Sequence, residues 1–374
     1  MKITDAKKKL HEFHFNFSED MIAMKPARFR DDAKLLVVNR AKETIEHHIF
    51  RDVIEYFNAG DVFVLNDSKV FPGLLEGKKE KKEDLIAVTL LRELGADKEE
   101  KLWDVIVDPA RKIRLGNNIF FGENSELVAE VIDNTSSRGR TIRFQYDGTY
   151  QEFMDLIMSI GRIPMPPYLA KKERTLENLD LTEEGYTTIE DFDAEHYQNI
   201  YSKSYGAKLS PSAGLNFSKQ LMLKCQLKDI EFANITLHPG LSNLDPIKVE
   251  DLNKHKPSSE EIYVSEEACN IINHAKDNNH KVVAVGTTTM KGLEATTITS
   301  KHLREFSGWT HKFIFPPYTF QLCDALITGF HAPATQMFLQ VAAFGGLDLV
   351  KDAYNEAIKN DYKFLAYGDA MLII

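Results

Sequence analysis

The chain has 374 residues, which at roughly 150 per domain predicts about two domains and at least one sizeable core. Hydrophobic residues make up 43%, aromatics 10% and charged residues 27%, a globular composition that excludes a disordered or fibrous chain. With 46 Lys and Arg against 56 Asp and Glu the net charge is -10, so a whole-surface grip on polyanions is excluded and any nucleic-acid contact must be local.

The first residues, with Lys7, Lys8 and Lys9, lead into no apolar stretch of the signal-peptide kind. No run approaches the ~18 apolar residues of a membrane span. Cys225, Cys269 and Cys323 are far apart, with no C-x-x-C pair, and read as small core residues of a reducing compartment. The expectation is a cytoplasmic, monomeric protein with no membrane contact.

In chain order, Leu35–Asn39 predicts a short strand, His48–Asn58 an amphipathic helix, and Asp61–Asn66 a strand whose apolar run implies burial on both faces. Asn66-Asp67-Ser68-Lys69 then carries turn chemistry, which reads either as a plain turn or as part of a site on the strand-end edge. From about Glu76 to Tyr150 the grammar changes. Strand-like runs at Ile86–Leu91, Trp103–Val107, Leu127–Ile132 and Thr141–Tyr146 alternate with Gly, Asn, Asp and Ser clusters, predicting an inserted barrel-like all-β module. Its basic residues are bunched as Lys78, Lys79, Lys81 and Lys82, then Arg111, Lys112 and Arg114, then Arg138, Arg140 and Arg143. They read as solvated loop charges or as a local polyanion footprint.

Gly161–Tyr168 contains three prolines and predicts a rigid extended crossing rather than helix. Lys171 to Glu195 is polar and acidic, a surface segment. Strands at Ile230–Leu237, Lys281–Gly286 and Asp324–Thr328 alternate with helices at Ser218–Leu227, Glu266–Asn278, Thr335–Gly345 and Leu349–Asn360. The fold class is therefore α/β: a mixed, mostly parallel sheet domain in two chain segments, residues 1–75 and 153–374, with an inserted barrel-like domain at 76–152.

Ligands of open α/β sheets gather beyond the carboxyl ends of the strands. Gly286-Thr287-Thr288-Thr289-Met290-Lys291 enters a helix with Gly for close approach and hydroxyls and free N–H groups suited to a carboxylate or ribose; an ordinary threonine cap would need fewer threonines. Phe330-His331-Ala332-Pro333 and His238-Pro239-Gly240 place a histidine after each of two strands. Leu209-Ser210-Pro211-Ser212-Ala213-Gly214-Leu215-Asn216-Phe217-Ser218 resembles an anion or nucleotide cradle in composition only. No dinucleotide fingerprint, P-loop or metal motif is present.

These motifs, with Arg30-Asp31-Asp32-Ala33-Lys34, Pro109-Ala110-Arg111-Lys112, Gly161–Tyr168 and the terminal Tyr367-Gly368-Asp369-Ala370-Met371-Leu372-Ile373, resemble the S-adenosylmethionine:tRNA ribosyltransferase-isomerases of queuosine biosynthesis nearly end to end. The resemblance implies an α/β domain interrupted by a β-barrel. It implies transfer and isomerisation of the ribosyl group of S-adenosylmethionine, a substrate rather than a bound cofactor, onto 7-aminomethyl-7-deazaguanine in tRNA, giving epoxyqueuosine, adenine and methionine without a metal. A base must take a proton beside the sulfonium and a donor must help adenine leave. The expected catalytic group is His331, His238, Asp324 and Asp369. The expected substrate-binding residues are Asn66, Asp67, Arg162, Tyr168, Ser212, Gly214, Asn216, Gly286, Thr287, Thr288, Thr289 and Lys291, with tRNA held by Lys78, Lys79, Arg111, Lys112 and Arg114. The chain departs from the family pattern at Asn216, Ser242-Asn243-Leu244, Ser258, Lys291 and Gly329. That leaves open a paralogue using another acceptor, or one that binds tRNA without catalysis.

Overall fold

The computed structural model describes residues 9–80, 84–94, 100–170, 174–182 and 184–374. In chain order the strands are β1 (Lys34–Asn39), β2 (Thr44–Ile49), β3 (Val62–Asn66), β4 (Ser68–Val70), β5 (Leu74–Lys79), β6 (Leu85–Glu93), β7 (Leu102–Asp108), β8 (Asn118–Phe121), β9 (Leu127–Asn134) and β10 (Gly139–Gln145). There follow α1 (Tyr150–Ile160), α2 (Pro167–Ala170), α3 (Ile189–His196), β11 (Ser204–Ala207), α4 (Lys219–Leu227), β12 (Glu231–Leu237), β13 (Glu260–Val264), α5 (Glu266–Asp277), β14 (Val282–Val285), α6 (Thr287–Thr296), β15 (Phe306–Thr310), β16 (Ala325–Gly329), α7 (Gln336–Gly345), α8 (Leu347–Lys359) and β17 (Ala370–Ile373).

Two compact units emerge. One comprises Met1–Lys69, Pro166–Ile189 and Glu195–Ile374, the other Val70–Met165 and Glu190–Ala194. The second reaches further than the 76–152 read from composition, because β5 begins at Leu74 and the apolar face of α1, with Phe153 and Ile157, joins its core.

The larger unit is a nine-stranded sheet in the order β15-β13-β12-β3-β14-β16-β17-β1-β2. Its centre, β12-β3-β14-β16, is parallel and fully or mostly buried. Parallel and antiparallel pairings number four each, so the sheet is mixed with a parallel centre rather than mostly parallel. Hairpin pairing of β1 with β2 and the reversed entry of β17 beside β16 supply antiparallel contacts that strand-helix alternation does not announce. Alternate residues feed two layers: Leu36, Val38, Val64 and Ala284 pack with α5–α8 on one face, while Leu35, Val37, Phe63 and Val283 pack with α4 on the other.

The expected helix at His48–Asn58 is instead the end of β2 followed by a 3-10 helix, Phe50–Tyr56. Ile45 and Ile49 suit a strand paired to β1, and buried Phe50 and Val53, three apart, match the 3-10 period. Ser68–Val70 runs as a short strand where a turn was one reading. Gly161–Pro166 is non-helical as expected, but Pro167 and Tyr168 open the short α2, which the first turn of a helix permits because a missing N–H is harmless there.

The smaller unit is a closed antiparallel barrel in the order β10-β7-β6-β5-β8-β9. Period-two alternation builds it: Leu127, Ala129 and Val131 of β9 point inward with Val88, Val105, Ile119 and Ile142. Lys81 and Lys82 lie outside the described residues. Among those described, no helix is long and apolar enough to cross a membrane.

Candidate active site

Because β12, β3, β14 and β16 are parallel, their carboxyl ends share one edge of the sheet. β17 runs antiparallel to β16, which brings the preceding Tyr367–Asp369 loop to that edge as well. A pocket opens there, lined by Tyr168, Ser210, Ser212, Asn243, Gly286, Thr287, Thr288, Thr328 and His331 with apolar Leu209, Met337 and Leu365.

Gly286, with φ +98°, makes the turn from β14 into α6, a conformation that favours glycine. It provides no side-chain cap, so the first-turn N–H groups of this ten-residue helix lack intrahelical partners next to Thr287 and Thr288. The positive end of the helix dipole thus faces the pocket and favours a carboxylate. Thr289 is not part of the lining, since its hydroxyl donates back to the Val285 carbonyl at 2.6 Å.

His331 is 7% exposed. Its Nε2 is 2.9 Å from Thr328 Oγ1 and its backbone N–H donates to Tyr354 Oη at 3.0 Å, so the ring is fixed beside the pocket. Burial pushes its pKa down to about 4, leaving a neutral imidazole at pH 7 that can accept a proton. His238 Nδ1 is 2.6 Å from Ser68 Oγ, and burial together with the positive Lys208 also lowers its pKa to about 4. It adjoins the edge without lining the pocket. The ring rests on Gly206, where a Cβ would overlap it. Gly206→Ala is expected to destabilise the fold by about 1–3 kcal/mol, read as a lower denaturant midpoint; an unchanged midpoint would show that the ring moves aside freely.

Both histidines are neutral in the folded protein, with values near 4 against about 6.5 when unfolded. The unfolded chain therefore binds more protons between those values. The stability they contribute is complete above about pH 6.5 and is lost as pH falls toward 4. Denaturation at pH 7 and 4.5 checks this; equal midpoints in wild type would refute it.

Several expected residues are placed as staples rather than ligands. Asn66 donates to the Leu237 carbonyl at 2.8 Å and accepts from the Leu237 and Ser68 N–H groups at 3.0 and 3.1 Å, binding the end of β3 to β12. Asp67 accepts from Thr236 Oγ1 at 2.6 Å, and burial raises its pKa. Asp369 accepts from the Lys34 and Lys363 N–H groups at 2.7 and 2.6 Å. Burial still lifts its pKa, against those two donors. Gly214 gives room to the Tyr201 hydroxyl and Asn199, and buried Asn216 does not line the pocket.

Two expectations fail on position. Asp324 immediately precedes β16, at the opposite edge, where it pairs with Lys276 Nζ at 3.0 Å and accepts from Val282 N at 2.9 Å. A strand reversed in the reading would have been needed to bring it to the pocket. Arg162 belongs to the barrel unit and pairs with Glu76 and Glu190 at 3.5 and 3.8 Å. Tyr168 does line the pocket, its hydroxyl bonded to the Ala366 backbone and its pKa raised by burial.

Four of the departures from the family pattern are joined in two small groups. Ser242 Oγ bonds Ser258 Oγ, Asn243 Nδ2 donates to Glu260 Oε1 at 2.6 Å, and Lys291 forms a buried ion pair with Glu260 Oε2. Lys291 is thus committed to Glu260 and supports Asn243, which does line the pocket. Residues that the sequence reading missed are Thr328, signalled by a hydroxyl at the end of an apolar strand, and Lys208. Lys208 is 6% exposed and its pKa is brought down by burial to about 8, with Glu261 opposing; its only sequence signal is a lysine set between Ala207 and Leu209.

Among the described residues no group of three or more His, Cys, Asp or Glu side chains is placed to hold a metal ion. The chain matches the family model described as "Queuosine biosynthesis protein" over residues 10–373. A relative from Flavobacterium psychrophilum is 51% identical over 98% of this chain and 100% of its own length, and one from Phocaeicola vulgatus is 48% identical over 98% and 99%; both are called S-adenosylmethionine:tRNA ribosyltransferase-isomerase. The crystal structure of an S-adenosylmethionine tRNA ribosyltransferase from Thermotoga maritima is 30% identical, covering 97% of this chain and 100% of that one with a TM-score of 0.53. With a full-length model match and relatives near half identity, this chain belongs to the queuosine biosynthesis protein family.

Proposed function

We propose that this chain is a tRNA-modifying transferase and isomerase that moves the ribosyl moiety of S-adenosylmethionine onto 7-aminomethyl-7-deazaguanine in tRNA, giving epoxyqueuosine and releasing adenine and methionine. The observation that carries this reading is the juxtaposition of the uncapped amino end of α6 with the fixed, neutral His331 in one pocket. The helix end and the Thr287 and Thr288 hydroxyls receive the carboxylate of the methionine part. The imidazole of His331 takes the proton from the carbon beside the sulfonium, Thr328 holding Nε2 in place. Ser210 and Ser212 offer hydroxyls to the ribose or adenine. Thr287 and Thr288 stand on a helix start and Thr328 near a strand end, so little of the site has to be ordered when substrate arrives.

The test is direct. Purified protein is incubated with S-adenosylmethionine and tRNA bearing 7-aminomethyl-7-deazaguanine, and adenine is measured by chromatography while the nucleoside is identified by mass spectrometry. Adenine appearing with epoxyqueuosine is the expected result. Adenine with a different modified nucleoside would replace the acceptor, and neither product from folded protein would overturn the reading.

A further inference from the structure

The barrel unit carries a second pocket, of about 530 Å³, lined by Lys79, Asp84, Ile86, Arg111, Lys112, Arg114 and Asn117. Its volume suits a small molecule, but its lining does not: one apolar side chain, no aromatic ring, and otherwise charge and amide. Without an aromatic platform it has nothing on which to stack a base. Four cations against the single Asp84 suit a run of phosphates instead. Lys112 is partly answered by Asp84 at 3.1 Å, both groups being exposed. Among the described residues the guanidinium groups of Arg111 and Arg114 make no hydrogen bond or ion pair.

The turn that presents these side chains is fixed from beneath. Arg140 is 7% exposed, so the sequence reading of it as a loop charge fails. Its Nη2 donates to the carbonyls of Ala110 and Ile113 at 2.9 and 3.1 Å, and its Nη1 to Gly139 at 2.8 Å. Ile113, between the two outward arginines, is anchored in the barrel core. Farther along, Asn117 Oδ1 accepts from Arg114 N at 3.0 Å and Gly116 N donates to the Val131 carbonyl at 2.8 Å. A buried guanidinium thus spends its donors on a short loop whose other arginines are left facing outward. That arrangement has a purpose if the loop must meet an anion without first being ordered.

We infer that this pocket is a preorganised site for the phosphate backbone of the tRNA substrate, with Arg111, Arg114, Lys79 and Lys112 as contacts and Arg140 as the positioning residue. The inference rests on the proposed function for the identity of the RNA. It explains how a chain of net charge -10 can engage a polyanion: the contact is local, reads no base, and fixes register on the backbone.

The test measures tRNA binding by fluorescence anisotropy across a salt series, with S-adenosylmethionine binding by calorimetry as the control. Arg111→Glu with Arg114→Glu is expected to weaken tRNA binding roughly tenfold or more and to reduce the slope of log K against log salt by about 2, leaving S-adenosylmethionine binding unchanged. Should that pair fail to fold by circular dichroism, Arg111→Gln with Arg114→Gln is judged by the same criteria with a smaller loss of affinity. Arg140→Lys keeps the charge but loses the fork; it is expected to weaken binding several-fold with the salt slope retained, which simple loss of charge would not do. Unchanged affinity and slope in the folded double variants overturns the inference, and if wild type still forms product the proposed function survives that failure. Adenine release by wild type without any modified tRNA would instead remove the reading on which the inference rests.

Discussion

Replacing His331 with Ala is expected to lower turnover by about a hundredfold or more, with S-adenosylmethionine binding changed far less. The imidazole lies against the pocket, locked through Nε2 to Thr328 and through its backbone to Tyr354, and its pKa near 4 keeps it in the unprotonated form at any physiological pH. The same value sets the pH profile. The base form dominates above about pH 5, so the limb due to His331 is flat from pH 6 to 8 and falls only as pH drops toward 4. Adenine release at saturating substrate measures both. Unchanged turnover in folded His331→Ala would remove it from the mechanism, and a limb centred near 6.5 would show that the ring is solvated in the complex.

Lys291→Met is expected to destabilise the larger unit by about 3–5 kcal/mol, since it leaves Glu260 charged at 4% exposure without its cation. Glu260 also accepts from Asn243 and from the Gly240 N–H at 3.2 Å, so its unpaired charge loosens the wall of the pocket as well. Adding Glu260→Gln should restore much of the loss, because the amide oxygen still accepts from both while the buried charge disappears. Denaturant midpoints of the single and double variants decide it. A double variant no more stable than Lys291→Met would mean that the methylene stem of the lysine, rather than its charge, carries the effect.

The parallel centre was legible because each of its strands is a short apolar run bounded by polar turns, as in Val62–Leu65 and Val282–Val285. The barrel showed through alternation in Val105, Val107 and Ala129, Val131. What stayed hidden depends on partners far along the chain. β15, at the sheet edge, and β13 beside it carry polar or exposed alternate residues such as Glu261 and Trp309, and β5 contains Gly77-Lys78-Lys79, which resembles a turn. In the site, position was more legible than role. The threonines and His331 were found because they follow strands, whereas Asn66, which ends a strand by the same rule, and Asp369, brought to that edge by the reversed β17, turn out to hold backbone N–H groups. Whether a carboxylate faces inward to the chain or outward to a ligand is set by the loop packed over it, which spacing does not encode. Arg140 is the reverse case, a charge that its nearness in sequence groups with Arg138 and Arg143 but whose guanidinium caps a turn some 27–30 residues earlier.

β17 lies between β16 and β1, and the clamp at its start joins Lys34 to Asp369, 335 residues away along the chain. On a ribosome adding ~5–20 residues per second, β1 and β2 wait roughly 20 to 70 s for that strand. During the interval they form at best a lone hairpin, marginal in water, with Leu35, Leu36, Val37 and Val38 uncovered and one edge of β1 unpaired. Translation of β17 is therefore what ends this exposure. A message stalled or frameshifted before β17 would release a nascent chain whose β1–β2 hairpin is sticky, and quality control by chaperones and proteases would meet it at those two strands.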